Sequence, residues 1–218
     1  MKLFDDIAEE PYEPRGIPNS EMAFIIYAIR HLNCNTVIES GRARGQSTYM
    51  LAKYLPDAEI HSVEMRADHP DERIARERLK GFTNLTLHVG QGDVLLPKLC
   101  RRPEPTAVLC DGPKGARAVG VLRSCFRNRN VRVGFIHDMR KLDHGEPSKH
   151  RSAAVEAFPN HRFSDEDALV EASRWMDKPV VAANGPVGPE HEAVFGSYGP
   201  TVGAFFPHKQ FKQQAEEQ

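Results

Sequence analysis

No stretch of this chain is apolar for long enough to cross a membrane, which takes ~20 residues. An excess of one charge is missing too: 29 Lys and Arg stand against 30 Asp and Glu, a net charge of −1. No global field therefore draws the chain to nucleic acid or to an anionic membrane surface. A local exception, the basic cluster from Arg117 to Arg132, reads as a solvated helix face. Cysteine is scarce, and the four present (Cys34, Cys100, Cys110 and Cys125) lack the CxxC spacing of a zinc or redox site. Buried, reduced thiols in a cytoplasmic protein are the expectation. The opening Met1-Lys2-Leu3-Phe4-Asp5-Asp6 turns acidic at once and has no apolar core of a secretory leader. Internal repeats and low-complexity segments are also absent.

What is present is a regular alternation. At 218 residues the chain is long enough for one full domain of sheet and helices. Residues 1–18, with Pro11, Pro14 and Pro18 among acids, read as an irregular arm. A single domain follows over 19–209, and a polar tail over 210–218. Met22, Ile25, Ile26, Ile29 and Leu32 recur at helical spacing. Strand signals then fall at 36–38, 59–64, 85–89, 106–110 and 131–136. Helical segments separate them, the one at 71–80 closed by Gly81. That order predicts βαβ units and an α/β fold: a doubly wound, mainly parallel, Rossmann-like sheet with helices on both faces. The last third loses the rhythm; a helix is expected over 150–158, a short strand at Val180 and Val181, and a late strand over 201–206.

The segment Val37-Ile38-Glu39-Ser40-Gly41-Arg42-Ala43-Arg44-Gly45-Gln46-Ser47-Thr48 carries the most information. An apolar strand ends in a carboxylate, a glycine loop follows, and a helix opens. Glycines let backbone approach a ligand, and a helix N-terminus attracts polar or anionic groups. Further acids stand at later strand ends: Glu64, Asp111 and Asp138, with Asp93 just past the third strand in Gly90-Gln91-Gly92-Asp93. In a parallel sheet these ends share one edge, where open α/β sheets bind ligands. So many carboxylates around one crevice need a cation, a metal or several donors.

On these residues the chain resembles the class I S-adenosylmethionine-dependent methyltransferases over about residues 20–140. Ala43 stands where a middle glycine is common in that family. The resemblance implies that Gly41 and Gly45 approach the methionine part of the donor and that Glu39 faces its amino group. It places Glu64 on the ribose hydroxyls, and Gln91, Gly92 and Asp93 around the adenine. A side chain added at Gly41 or Gly45 should then intrude on the donor or force a disfavoured backbone angle, while sparing the sheet. An NAD(P)-dependent oxidoreductase would share the loop and Glu64, but Arg42-Ala43 breaks its usual Gly-x-Gly-x-x-Gly pattern and it needs no Asp93. A catalytically silent cofactor-binding protein of the same fold is the third reading.

Chemistry is expected at the fourth and fifth strand ends. Asp111-Gly112-Pro113-Lys114 resembles the acid-to-lysine spacing of metal-assisted O-methyltransferases, and Asp138 falls at the position of their second metal acid. Met139 replaces the Asn expected after it. Sugar and macrolide O-methyltransferases and the cephalosporin-hydroxylase-like group look nearer overall. Asp111 and Asp138 are the candidate ligands for Mg²⁺, with water and substrate hydroxyls completing the shell. Asp111, Lys114 and His137 are the candidate catalytic residues: His137 as a base near neutral pH, Lys114 as the charge that acidifies an acceptor hydroxyl. The expected reaction is O-methylation of a small molecule or sugar-bearing metabolite. The expected partners are that small-molecule acceptor and, at most, further copies of the chain.

Overall fold

The structure, a computed structural model, describes residues 2–13, 16–177 and 201–207. Two helices, α1 (Lys2–Ala8) and α2 (Asn19–His31), precede the sheet. The alternation then runs β1 (Thr36–Ser40), α3 (Gln46–Tyr54), β2 (Glu59–Glu64), α4 (Pro70–Arg78), β3 (Leu85–Val89), α5 (Gly92–Leu99), β4 (Thr106–Cys110), α6 (Ala116–Cys125) and β5 (Val131–Ile136). A small hairpin, β6 (Leu142–Asp143) with β7 (Glu146–Pro147), leads to α7 (Lys149–Ala157), β8 (His161–Phe163) and α8 (Asp167–Ser173). A 3₁₀ turn, Arg174–Asp177, and β9 (Gly203–Phe205) complete the described elements.

The seven-stranded sheet has the order β3-β2-β1-β4-β5-β9-β8. The first five strands are parallel, and β9 runs antiparallel between β5 and β8. Parallel strands at the centre are covered on both faces, so β1 and β4 are buried throughout, β4 along the apolar run 107–110 and β1 with Glu39 and Ser40 at its end. One core layer joins α1, α2 and α3 to one face of the sheet; the other joins α5, α6 and α7 to the opposite face. The stripe on α2 does this directly: Ile25, Ile26 and Ile29 are completely buried, each contributing about 1.5–3 kcal/mol. All four cysteines are buried free thiols.

Register fixes where the loops meet. Ser40 lies level with Val63 on one side and Cys110 on the other, and Cys110 is level with Ile136. The chain winds outward from β1 through β2 to β3, then crosses to β4 on the other side of β1. The reversal between β1 and β4 opens a crevice outside their carboxyl ends.

The N-terminal segment differs from the irregular arm expected of it. Ile7 and Ile17 are buried in the core layer beneath α2, and Asn19 donates to the carbonyls of Ile7 and Glu10. The prolines interrupt helix only from Pro11 onward, which leaves residues 2–8 free to form α1. The expected strand at Val180 and Val181 lies outside the described residues. The edge strand β8 and helix α8 carry no clear periodicity and went unforeseen.

Candidate active site

Three loops meet backbone to backbone at the switch point. Gly41 has a left-handed φ of 90°, and a Cβ there would stand 2.7 Å from the Asp111 carbonyl carbon. A Cβ on Gly92 would meet the Gly112 oxygen at 2.8 Å. The loops after β1, β3 and β4 thus form a close-packed floor. Above it lies a cavity of about 370 Å³, walled by Ser40, Gly41, Glu64, Gln91, Asp93 and Lys114 among others. Gly45 stands elsewhere: its Cβ would press on Ala75 and Leu79 of α4 and their neighbourhood, at 3.2 Å. Both glycines hold left-handed φ values, 90° and 80°, that a side chain would strain, and both let the chain pack on itself, while Gly41 also lines the cavity.

The loop is pinned from below. Arg42, 1% exposed, turns inward and forks onto Glu72 of α4 at 2.8 Å, while its other nitrogen donates to the Ser62 carbonyl at 2.6 Å. Arg44 bridges Asp71 and Glu13, each at 2.9 Å. Glu39 is also part of this underpinning. It is fully buried and accepts from Ser47 Oγ at 2.5 Å, Ser62 Oγ at 2.6 Å and Thr48 Oγ1. Burial pushes its carboxyl above the usual range, opposed by these three hydroxyls and by Arg42. The structure thus sets Glu39 beneath the loop, tying the first turn of α3 to β1, and not facing the crevice as expected.

Glu64, Gln91, Gly92 and Asp93 all line the cavity. Glu64 is steadied by two backbone amides, Ala43 at 3.1 Å and Met65 at 2.8 Å, and each carboxylate oxygen retains a further acceptor site. Asp93, in the first turn of α5, accepts from Arg117 at 2.7 Å through Oδ2. Its Oδ1 and the Ser40 hydroxyl are buried polar atoms without a protein partner. Glu64 thus offers acceptor sites to a ligand's hydroxyls from the cavity wall, whereas Asp93 Oδ1 and Ser40 Oγ are closed off beneath its surface.

Asp111, Lys114, His137 and Asp138 come together at the far end. The Lys114 ammonium bonds Asp111 and lies 2.6 Å from Asp138 Oδ2. Asp138 holds a left-handed φ of 63°, a conformation that acids tolerate better than most residues. His137 is buried, with Nδ1 2.7 Å from Asp111 and Nε2 3.2 Å from Glu21 of α2. Burial opposes a charge on the ring, but Asp111 and Glu21 outweigh it and raise His137 to about 10. Burial likewise raises Glu21 to about 7, against the pull of His137. With both nitrogens engaged and the ring charged, His137 has no lone pair to accept an acceptor's proton, which corrects its assignment as base. Burial would lower Lys114, but Asp111 and Asp138 hold it above its ordinary value.

Glu21 was missed. It lies one helical turn before Ile25 on the buried side of α2, a position where an acid needs a partner; that was the available signal. The His150 ring packs by Gly115.

The fit of a metal can be tested on the same atoms. Ligand atoms of Asp111, His137 and Asp138 lie within 4.8 Å of one another. His137 Nδ1 is already engaged with Asp111 at 2.7 Å, and the two acids are bridged by Lys114. A hard cation, which needs six or so oxygen ligands, would have to displace the ammonium and would gain only two carboxylates. The arrangement does not fit Mg²⁺.

No protein-family model matches the chain. A curated relative, the protein-L-isoaspartate O-methyltransferase of Roseiflexus sp. (strain RS-1), is 29% identical over 76 residues, 35% of this chain and 34% of that protein. The chain thus spans about a third of the length of that relative. Solved structures match far more of it. The O-methyltransferase TomG of Streptomyces achromogenes, solved with S-adenosylmethionine, has a TM-score of 0.54 at 17% identity, covering 94% of this chain and 90% of that one. An O-methyltransferase of Bacillus cereus, solved with S-adenosylhomocysteine, gives 0.53 at 14% identity over 94% and 91%. A methyltransferase of Podospora anserina, bound to S-adenosylhomocysteine, gives 0.54 at 14% over 94% and 86%. The chain has the fold of the class I S-adenosylmethionine-dependent methyltransferases.

Proposed function

We propose that this protein is an S-adenosylmethionine-dependent methyltransferase acting on an oxygen of a small molecule. The observation that carries the reading is the cavity at the switch point. It holds a steadied carboxylate, Glu64, with Gln91 and Asp93 in the same wall, beside a charged cluster. The fold relatives solved with S-adenosylmethionine or S-adenosylhomocysteine support the same ligand. No feature of the cavity favours a nicotinamide cofactor over it.

When bound, S-adenosylmethionine supplies an electrophilic methyl group on a sulfonium. Glu64 would accept from the two ribose hydroxyls, with its amide partners holding the orientation. The Asp93 carboxylate, 34% exposed in its side chain, would accept from the exocyclic amine of the base, with Gln91 and Gly92 along its edge. At the other end Lys114 lies where an acceptor would enter. Its ammonium, held charged by Asp111 and Asp138, would draw electron density from an acceptor hydroxyl and stabilise the developing oxyanion. Asp111 and Asp138 then serve to place that ammonium, and positioning carries most of the rate. Deprotonation falls to a carboxylate oxygen of Asp138, which is 37% exposed in its side chain, or to water. A small acceptor suits the modest size of the site. Further copies of the chain and a cytoplasmic setting complete the reading; among the described residues no helix is long and apolar enough to cross a membrane.

Calorimetry with S-adenosylhomocysteine and, separately, with NAD tests the donor. Binding of the first at micromolar affinity and of the second not at all is expected. The reverse result would overturn the reading. Methyl transfer to a panel of hydroxylated small molecules then separates an active enzyme from a silent binder.

A further inference from the structure

From Gly112 to His137 the chain carries six Lys and Arg and no Asp or Glu. A solvated helix face ordinarily mixes both signs. Arg117, Gly120, Arg123 and Arg127 are exposed at helical spacing, one stripe down the outer side of α6. Arg117 is engaged by Asp93, at the cavity wall. Beyond α6, Asn128 is tied to the carbonyls of Cys100 and Arg102, and Asn130 to that of Arg102. These bonds set Arg127 and Arg129 beside the end of α5, where Lys98 and Arg101 are exposed. Among the described residues, the side chains of Lys98, Arg101, Arg123, Arg127 and Arg129 make no ion pair or hydrogen bond. Of the acids near this end, Glu59 is already bridged by Arg102 at 3.0 Å, which leaves the exposed Glu104. The stripe does nothing for the helix that bears it. Arg123 and Arg127, four residues apart, repel, and Arg117 stands at the positive end of the helix dipole.

We propose that the outer face of α6, with the adjoining turns after α5 and α6, docks the phosphodiester backbone of a nucleic acid. Unneutralised cations gathered on one face call for a polyanion, and the lack of apolar anchors decides which kind. A protein partner needs aromatic or aliphatic side chains to bury at the centre of its interface. Among the described residues, no exposed large hydrophobic side chain lies on α6 or in these two turns. Contacts to phosphate need only cations, and the guanidinium fork matches phosphate geometry. Arg123 and Arg127 lie about 6 Å apart along the helix axis, a step that neighbouring phosphates of one strand can follow. With no aromatic ring exposed on this face, bases are not stacked and the binding is independent of sequence. The five free cations lie outside the cavity, so the inference stands apart from the donor reading and leaves the small acceptor in place.

The test is fluorescence anisotropy of the full chain with two labelled oligonucleotides of mixed sequence, a single-stranded RNA and a duplex DNA, at low salt. Micromolar binding of at least one is expected. Its logarithmic salt slope should steepen by about 0.7 to 0.9 for each phosphate contacted. Arg123→Ala with Arg127→Ala should weaken binding about tenfold and flatten the slope by about 1.4 to 1.8. The melting temperature should not fall, since both side chains are exposed and unpaired. Arg123→Lys with Arg127→Lys should keep most of the affinity, because the charge remains. Arg73→Ala with Lys80→Ala removes the same charge from the α4 side and should change little. A parent that binds neither oligonucleotide, or equal losses in the two alanine pairs, would overturn the inference. Polyglutamate that displaces the oligonucleotide at matched charge would also overturn it, and would point to an acidic protein.

Discussion

His137 stands between two carboxylates, Asp111 on Nδ1 at 2.7 Å and Glu21 on Nε2 at 3.2 Å. This pairing joins α2 to the ends of β4 and β5, and so couples the N-terminal helices to the charged end of the crevice. Its protonation should be visible in stability.

His137 is raised from 6.5 to about 10, so its contribution is complete below pH 6.5 and is lost as pH rises through 10. Glu21, raised from 4.5 to about 7, acts earlier: burying its charge costs stability between those values. Above pH 7 both folded and unfolded states carry an ionised Glu21, and the remaining slope belongs to His137. The melting temperature should therefore fall between pH 7 and 9, by up to about 1.4 kcal/mol of stability per pH unit. The comparison with a variant carrying both Glu21→Gln and His137→Gln isolates this slope, because loss of His137 alone would push buried Glu21 up into the same window. Identical pH profiles for the two would show that the ring is not charged in the fold.

A second expectation concerns the underside of the glycine loop. Arg42 and Glu72 are 0% and 1% exposed in their side chains and 2.8 Å apart. Arg42→Met strands the Glu72 carboxylate and should cost about 3–5 kcal/mol in chemical denaturation. Arg76, 2.9 Å from Glu72, would soften that loss. Arg42→Met with Glu72→Met should regain much of it, since an apolar pair of similar volume can replace a buried ion pair. A double variant as unstable as the single one would mean that the Ser62 carbonyl contact, not the ion pair, holds the loop.

The strand ends were legible and the side-chain directions were not. Five parallel strands follow from apolar runs separated by helical periodicity, and the glycine loop with Glu64 and Asp93 marks the edge where the cavity lies. Direction depends on partners far away in sequence. Glu39 looks like a ligand acid because it ends a strand, yet Ser47, Thr48 and Ser62 lie on the same side and draw it beneath the loop. Arg42 looks like a loop cation, yet its partner lies 30 residues on, in α4. His137 looks like a base until Glu21, 116 residues earlier, is found on its second nitrogen. Residue type and spacing show which groups gather at an edge; hydrogen-bond partners decide which of them face a ligand.

Gly41 illustrates the same point as an experiment. With φ at 90° and the Asp111 backbone 2.7 Å from a would-be Cβ, Gly41→Ala already forces a disfavoured angle and a clash. Stability should fall by about 1–3 kcal/mol, and S-adenosylhomocysteine affinity should fall with it because the cavity floor shifts. Gly45→Ala should cost stability through α4 and disturb affinity less. Unchanged stability with lost affinity at Gly41 would restore direct contact with the ligand as the reason for the glycine.

Glu64 offers a separate test of the ligand's orientation. A ligand at about 100 times its dissociation constant stabilises the fold by about 2.7 kcal/mol. Glu64→Ala removes the acceptor for two hydroxyls and should abolish most of the shift in melting temperature caused by S-adenosylhomocysteine. The ligand-free variant should melt near the parent, because among the described residues Glu64 is bound only by the amides of Ala43 and Met65. Equal shifts in parent and variant would remove Glu64 from the site.

The charged end decides between an ammonium and a metal. Lys114 bridges Asp111 and Asp138, so the positive charge that two facing carboxylates require is already supplied by the chain. Methyl transfer should therefore persist in excess chelator, and Mn²⁺ should not bind the parent at micromolar concentration by electron paramagnetic resonance. Lys114→Met removes the ammonium while keeping most of the side-chain volume. Asp111 and Asp138 then keep only the His137 ring between them, and their repulsion should both lower stability and open the cluster to Mn²⁺. Added Mn²⁺ should raise the melting temperature of the variant and leave the parent unmoved. Loss of transfer in the parent on chelation, restored by Mg²⁺ or Mn²⁺, would show that the ammonium yields its place to a metal when the acceptor binds.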